Sequence, residues 1–262
     1  MPKKTTTKTK STKKVADQYD NGDYNYLRYW DGRDYENASE QLAIERLLQD
    51  KHFNTAADIG GGYGRLCVFL EKFADKVTLA EPSKQQHKIA KDFLKGHPEI
   101  DQVITQADDL KLQDKSQDLL TMIRVMHHLP DPSEEFRELH RVMTDDGYLV
   151  LEVANFSHGR NRIKYLLKGK SLPVEPVDIR SLKNRNLNEP AFVNHNPKTV
   201  IRQLAHAGFK VERTLSVSNL RSTAIKKYVP RGLMLGAEKI LQPMLAKTYF
   251  GPSVFFLVKK AK

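Results

Sequence analysis

Cysteine is nearly absent: Cys67 is the only one in 262 residues. A single thiol excludes an intrachain disulfide framework and any zinc site built on a cysteine cluster. Long hydrophobic runs are missing too, since no stretch approaches the ~18–20 apolar residues that cross a bilayer. The first residues, MPKKTTTKTKSTKK, are basic but lack the apolar core and cleavage site of a secretory signal. These absences read as a cytoplasmic chain. With 39 % hydrophobic and 29 % charged residues, the sequence can bury one substantial core with an inserted cap, not two independent domains.

Acidic residues are scarce at both ends. Residues 1–14 hold six Lys and no acid, and residues 157–262 hold 21 Lys and Arg against 5 Asp and Glu. The middle reverses this, with 16 basic against 27 acidic residues between 15 and 156. Such asymmetry admits a solvated basic face or an anionic partner, nucleic acid or membrane surface. Residues 1–14 have no aromatic residue and Met1 as their one large apolar side chain, so a disordered basic tail is expected there. Residues 15–262 are expected to form one domain.

What is present is an alternation of strand and helix patterns. A helix is predicted from about Ser39 to Gln49, with Leu42, Ile44, Leu47 and Leu48 as its apolar stripe. Strand Ala56–Ile59 then precedes a helix over Arg65–Phe73, which contains Cys67 in a position expected to be buried. Strand Val77–Ala80 leads to a helix opened by Pro82 and Ser83 and stopped by Gly96. Short strands are predicted at Val103–Thr105 and Leu119–Val125, a helix capped by Ser133, and a strand from Gly147. Repeated βα units of this length require a mainly parallel sheet covered on both faces, an α/β doubly wound fold. Residues 156–195 interrupt the pattern as a basic, Pro- and Asn-containing insertion. Asn196-Pro197 then opens a helix ended by Gly208, FKVERTLSV reads as a strand, and Ser253–Val258 as the last.

The sharpest motif is Asp58-Ile59-Gly60-Gly61-Gly62-Tyr63-Gly64-Arg65, between a strand and a helix. Glycine there permits a tight turn and lets a ligand approach the backbone. Glu81 ends the following strand, where a carboxylate can accept hydrogen bonds from both hydroxyls of a ribose. Loop and acid together signal an adenosine-containing ligand. The dinucleotide pattern G-x-G-x-x-G fails, because its third glycine would fall at Arg65. Asp58, just before the loop, suits an ammonium group better than a diphosphate.

DIGGGYGR, LAEPS, ADDLKLQDKSQDLLTMIRVMHHL and EEFRELHRVMTDDGYLVLE resemble the successive motifs of class I S-adenosylmethionine-dependent methyltransferases. The likeness is greatest to the ubiquinone/menaquinone branch, and it covers roughly residues 55–155. It implies a seven-stranded sheet with the last strand antiparallel and S-adenosyl-L-methionine as cofactor. It further implies that Gly60, Gly62 and Gly64 line the methionine portion and that Asp58 holds the loop or the cofactor's amino group. Glu81 would bind the ribose, and Ala107 and Asp108 the adenine, although family members usually carry an acid about where Gln106 stands. Arg124, ending the fourth strand, would lie where cofactor and substrate meet.

Methyl transfer from a sulfonium needs the two reactants brought together and water excluded; a general base is needed only when the acceptor loses a proton. No catalytic constellation is therefore required. His128, His195 and Arg124 are candidate catalytic residues, with His127 and Asn155 nearby; each also has a structural reading. Residues 29–35 are either a lid over the cofactor, with Arg33 reaching its carboxylate, or an aromatic cluster packed on the sheet. No metal is implied. Three functions stay open: a methyltransferase for a small molecule enclosed by the 156–195 cap; one acting on RNA, or on a lipid or quinone at an anionic membrane, through the basic final third and tail; and a non-catalytic cofactor-binding scaffold.

Overall fold

The computed structural model describes residues 29–185 and 191–261, so the expected tail 1–14 lies outside the described residues. The first α-helix among the described residues is α1 (Asp34–Leu47). It continues through β1 (Phe53–Ile59), α2 (Arg65–Leu70), β2 (Ala74–Glu81), α3 (Lys84–Phe93), β3 (Ile100–Ile104) and β4 (Gln117–Met122). Helix α4 (Ser133–Val142) and the long strand β5 (Met143–Ala154) follow. The inserted segment contains α5 (Gly159–Leu167), β6 (Val177–Asp178), α6 (Leu182–Arg185) and β7 (Val193–Asn194). Last come α7 (Pro197–His206), β8 (Phe209–Val217), α8 (Thr223–Tyr228), α9 (Arg231–Met244) and β9 (Ser253–Lys260).

Seven strands form one sheet in the order β3-β2-β1-β4-β5-β9-β8. The pairs among β1 to β5 are parallel, while β9 runs antiparallel to both β5 and β8. Period-two alternation assigns side chains to the two faces. Ala56, Leu119, Val150, Phe255 and Leu257 face a core shared with α1, α2 and α3. Ala57, Leu120, Leu149, Leu151 and Phe256 face the opposite core, closed by Phe136 and Leu139 of α4 and Val200 and Leu204 of α7. Strand order reverses between β1 and β4, which opens a crevice at the carboxyl ends of the strands.

Several element boundaries differ from the sequence reading. The strand predicted to reach Val125 stops at Met122, and a single 3₁₀ turn over Met126–His128 follows. Ser133 is not the cap of α4 but lies inside it. The capping acceptor is Asp131, whose Oδ1 takes hydrogen bonds from the Ser133 backbone (3.2 Å) and hydroxyl (2.6 Å). In α1 the inward face is not a plain apolar stripe, because it carries Glu36, Ser39 and Glu40 beside Ala43, Ile44 and Leu47, and Leu42 is only partly buried. Ser83 caps α3 as expected, accepting from Gln86 N. Asn196 caps α7 with Pro197 in its first turn.

Phe136 is fully buried where α4 meets the sheet. Phe136→Ala should therefore lower stability by about 3–5 kcal/mol, measured as a shift in the urea midpoint at unchanged m-value.

Candidate functional site

The β1–α2 turn forms the floor of the crevice. Gly60, Gly62 and Gly64 all adopt positive φ, at 69°, 60° and 89°, so the three glycines singled out by spacing are those that the backbone requires. Space is as restrictive as conformation at Gly60, where a Cβ would come within 2.5 Å of the Val125 side chain. The Gly60 N–H donates to Ala80 O at 2.7 Å, tying the turn to β2. Glu81, at the end of β2, accepts from Gly62 N and Ser83 N, each at 2.9 Å. In this state the residue expected at the ribose is bound to the loop itself.

Asp58 sits beneath the loop, 1 % exposed. Its register neighbour across β1 and β4 is Thr121, whose hydroxyl donates to Oδ1 at 2.6 Å. The other oxygen, Oδ2, is buried and has no hydrogen-bond partner among the described residues. Burial raises the carboxyl to about 6, against the lowering effects of Thr121 and Arg65. Asp58 lines a cavity of ≈ 20 Å³ together with Gly60, Gly61, Arg65, Leu66, Ile123 and Arg124. That is room for one small polar group.

Two arginines close this cavity from above. Arg124 follows β4 with φ 62°, a left-handed conformation that a non-glycine residue holds only when its surroundings fix it. Its backbone N–H donates to Glu152 Oε2 at 3.1 Å, its Nε to Glu40 Oε1 at 2.7 Å and its guanidinium to Tyr29 Oη at 2.8 Å. Arg65 donates to the other Glu40 oxygen at 3.0 Å and to Asn37 Oδ1. The Trp30 ring lies 3.7 Å from the Arg65 guanidinium and 4.9 Å from that of Arg124. Tyr29, Trp30 and α1 thus cover the arginines.

Arg33 does not join them. Its guanidinium stacks 4.1 Å from the centre of the Tyr29 ring, and it lines a separate opening of ≈ 470 Å³ with Asp31, Glu36, Arg221 and Lys226. Arg33, expected at the cofactor's carboxylate, thus lies away from the glycine loop, and Arg65 and Arg124 are the cations that line the cavity with Asp58. Ala107 and Asp108 lie in the turn after β3, held by hydrogen bonds from the Thr105 hydroxyl to Asp109 O and from Lys111 N to that hydroxyl. Ala107 packs on the core, and Asp108 is exposed, near enough to Glu135 to help raise its carboxyl.

The candidate histidines are held by ring packing and by contacts with backbone carbonyls. His195 is 1 % exposed and bonds through Nε2 to Met126 O at 2.9 Å, so that nitrogen carries the proton. His127 packs against His128 and Phe192, with ring centroids 4.0 and 4.5 Å away. Burial drives the imidazoles of His127 and His195 below their usual range. His128 Nδ1 lies 3.3 Å from Ala191 O. Asn155 donates to Tyr249 O and Gly251 O and accepts from Ser157 N, clamping the end of β5. The sequence reading missed Glu40, Arg65 and Glu152. Glu152 had a signal, as a lone acid within the apolar run YLVLEVA, and Arg65 adjoins the glycine loop.

Residues 57–151 match the family described as a methyltransferase domain. Within those residues the chain is similar to class I S-adenosylmethionine-dependent methyltransferases. Over 120 residues the chain is 28 % identical to the ubiquinone/menaquinone biosynthesis C-methyltransferase of Rubrivivax gelatinosus, covering 42 % of this chain and 47 % of that one. Over 143 residues it is 28 % identical to a malonyl-[acyl-carrier protein] O-methyltransferase of Marinomonas, covering 53 % of this chain and 50 % of that one. The chain therefore spans about half the length of the curated relatives it matches. The fold is shared with a Thermotoga maritima methyltransferase described as a possible histamine N-methyltransferase, at TM-score 0.61, 21 % identity and coverage of 90 % and 94 %. A chain from the complex of the Haloferax volcanii Trm112 activator with a methyltransferase gives TM-score 0.61 at 15 % identity, covering 95 % and 100 %. Family and fold imply S-adenosylmethionine as the cofactor. No helix among the described residues is long and apolar enough to cross a membrane.

Because Asp58 is raised from 3.8 to about 6 in the fold, its ionised form is penalised above pH 6. That cost is relieved as pH falls toward the unfolded value. Relative to Asp58→Asn, the wild-type protein should therefore gain about 1.4 kcal/mol per pH unit between pH 6 and 4, read from paired urea titrations.

Proposed function

We propose that this chain transfers a methyl group from S-adenosylmethionine to a small-molecule acceptor, and that the crevice at β1, β2 and β4 holds the cofactor. The observation that carries this reading is the unpaired, buried Asp58 Oδ2 beside a small cavity under a positive-φ glycine loop. A buried carboxylate oxygen without a donor is costly, and an ammonium group would satisfy it. The residues present fit the cofactor in charge as well. Asp58, Glu40 and Glu152 are acids buried beside Arg65 and Arg124, an acid-rich setting that favours a cation.

When bound, the cofactor supplies a methyl group on a positively charged sulfur, already activated for in-line displacement. The chain's part is to bind, orient and exclude water. Gly60, Gly62 and Gly64 would let the methionine portion approach the backbone, and Asp58 would accept its ammonium. Glu81 would exchange a loop amide for the ribose hydroxyls, and Ala107 and Asp108 would flank the adenine. Arg65 and Arg124 would face the carboxylate, now opposed by Glu40. His128, partly exposed beside the insertion, is the imidazole best placed to take a proton from an acceptor that must lose one. The acceptor class rests on the relatives, whose names describe methylation of a quinone and of an acyl-carrier-bound acid.

Calorimetric titration with S-adenosylmethionine should show binding that weakens as pH drops below about 6, because Asp58 must ionise to accept the ammonium. Asp58→Asn should bind weakly with a flat profile. Gly60→Val and Glu81→Ala should each lose at least ~10-fold in affinity, about 1.4 kcal/mol. Labelled methyl transfer into fractionated cell extract should mark the small-molecule fraction. Label in RNA would overturn the acceptor class, binding without any transfer would favour a scaffold, and the absence of binding would overturn the site.

A further inference from the structure

Helix α9 is amphipathic in the wrong sense for a surface helix. Its buried side carries Met234, Glu238 and Gln242; Glu238 accepts from Tyr35 Oη at 2.7 Å, and Gln242 donates to Ser39 O at 2.9 Å. Its outward side carries Leu233, Ile240 and Met244, spaced to share one face. In α5 the only buried residue is Gly159, and Ile163, Leu166 and Leu167 again share a face. These six side chains are 60–82 % exposed. Single exposed apolar residues need no explanation, but grouped ones mark an interaction surface.

The first turn of α5 is fastened to the segment that follows α9. The Gly159 N–H donates to Phe250 O at 2.8 Å, and Arg162 donates to Ser157 O and to Thr248 O, in the segment that leaves α9. Their charge is one-sided. Arg160, Lys164 and Lys168 on and after α5, and Lys227, Arg231 and Lys239 on α8 and α9, are all exposed. Residues 159–170 contain no acid, and the one acid in residues 220–250 is the buried Glu238.

We propose that the outer faces of α5 and α9 dock on an anionic lipid bilayer, with the aliphatic side chains entering the interface and the lysines and arginines meeting lipid phosphates. Aliphatic groups among basic ones are what such an interface takes up. Nucleic acid is disfavoured, because leucine, isoleucine and methionine offer bases neither stacking nor hydrogen bonds. A second copy is disfavoured, because a two-fold contact would set the same cationic face against itself. The proposal does not depend on methyl transfer. It does place the bilayer one helix away from α1, which covers the cofactor crevice.

The test is flotation of the full chain with phosphatidylcholine vesicles, with and without phosphatidylglycerol. Binding should require phosphatidylglycerol and weaken with added salt. The double variant Leu166→Asp/Leu167→Asp and the single variant Ile240→Asp should each reduce the vesicle partition coefficient at least ~10-fold, with melting temperature and S-adenosylmethionine affinity unchanged, so that folding and the cofactor reading are scored separately. Lys164→Glu/Lys168→Glu should weaken binding as well. Wild-type protein that ignores anionic vesicles would overturn the proposal. So would binding untouched by the aspartates, which would trace it to basic residues elsewhere, such as 1–14. A wild-type dimer that Ile240→Asp dissociates in sedimentation, or transfer-RNA binding abolished by the same aspartates, would overturn it in favour of those partners.

Discussion

Buried charge at the carboxyl edge of the sheet constrains everything around it. Asp58, Glu40 and Glu152 are each at most 5 % exposed, and a carboxyl so far from water stays readily ionised only where donors surround it. Arg65 and Arg124 meet that demand jointly on Glu40. Each oxygen of Glu40 has its own guanidinium, and Trp30 covers both cations. The arrangement explains the left-handed backbone of Arg124. A residue in an unstrained extended conformation would continue β4, whereas φ 62° turns the chain so that its N–H meets Glu152 and its side chain meets Glu40 and Tyr29.

Much of this fold was legible in the sequence, because the sheet is built from short βα units whose punctuation is local. The glycine spacing 60, 62, 64 identified the three positions that need positive φ, and Asn196-Pro197 and Ser83 marked helix starts that the structure keeps. Errors arose where tertiary contacts outweighed local pattern. Ser133 looked like a cap, but Asp131 two residues earlier offers a carboxylate oxygen to the same backbone. The apolar stripe read into α1 misplaced Leu42, because the helix turns acids inward to meet arginines about 25 and 84 residues away in the chain. No periodicity within α1 carries that information. The acids of this helix are intelligible only once Arg65 and Arg124 are seen across from them.

The candidate site was legible to the extent that it is made of backbone. Glycines, and an acid at the end of the next strand, advertise themselves through spacing; side chains assembled from distant elements do not. Arg33 illustrates the difference. It lies four residues from Tyr29, and the face of that ring holds its guanidinium in the larger opening instead of over the glycine loop. The cations beside Asp58 come instead from the residue after the loop and the second residue after β4, positions fixed by the sheet.

The inserted segment is joined to the domain at its polar points and leaves its apolar ones outside. His195 bonds to Met126 O, the Phe156 N–H to His195 O, and Asn155 to the chain at Tyr249 and Gly251. These contacts satisfy buried donors and acceptors at the end of β5, where the strand leaves the sheet and would otherwise strand them. The outer residues of α5 have no such obligation and bury nothing. Replacing Leu166 and Leu167 by polar residues would cost the fold little, since neither contributes to the core. Their presence on a helix whose first turn is so firmly fastened separates the two requirements. The fastening serves the fold, and the exposed leucines contribute nothing to it.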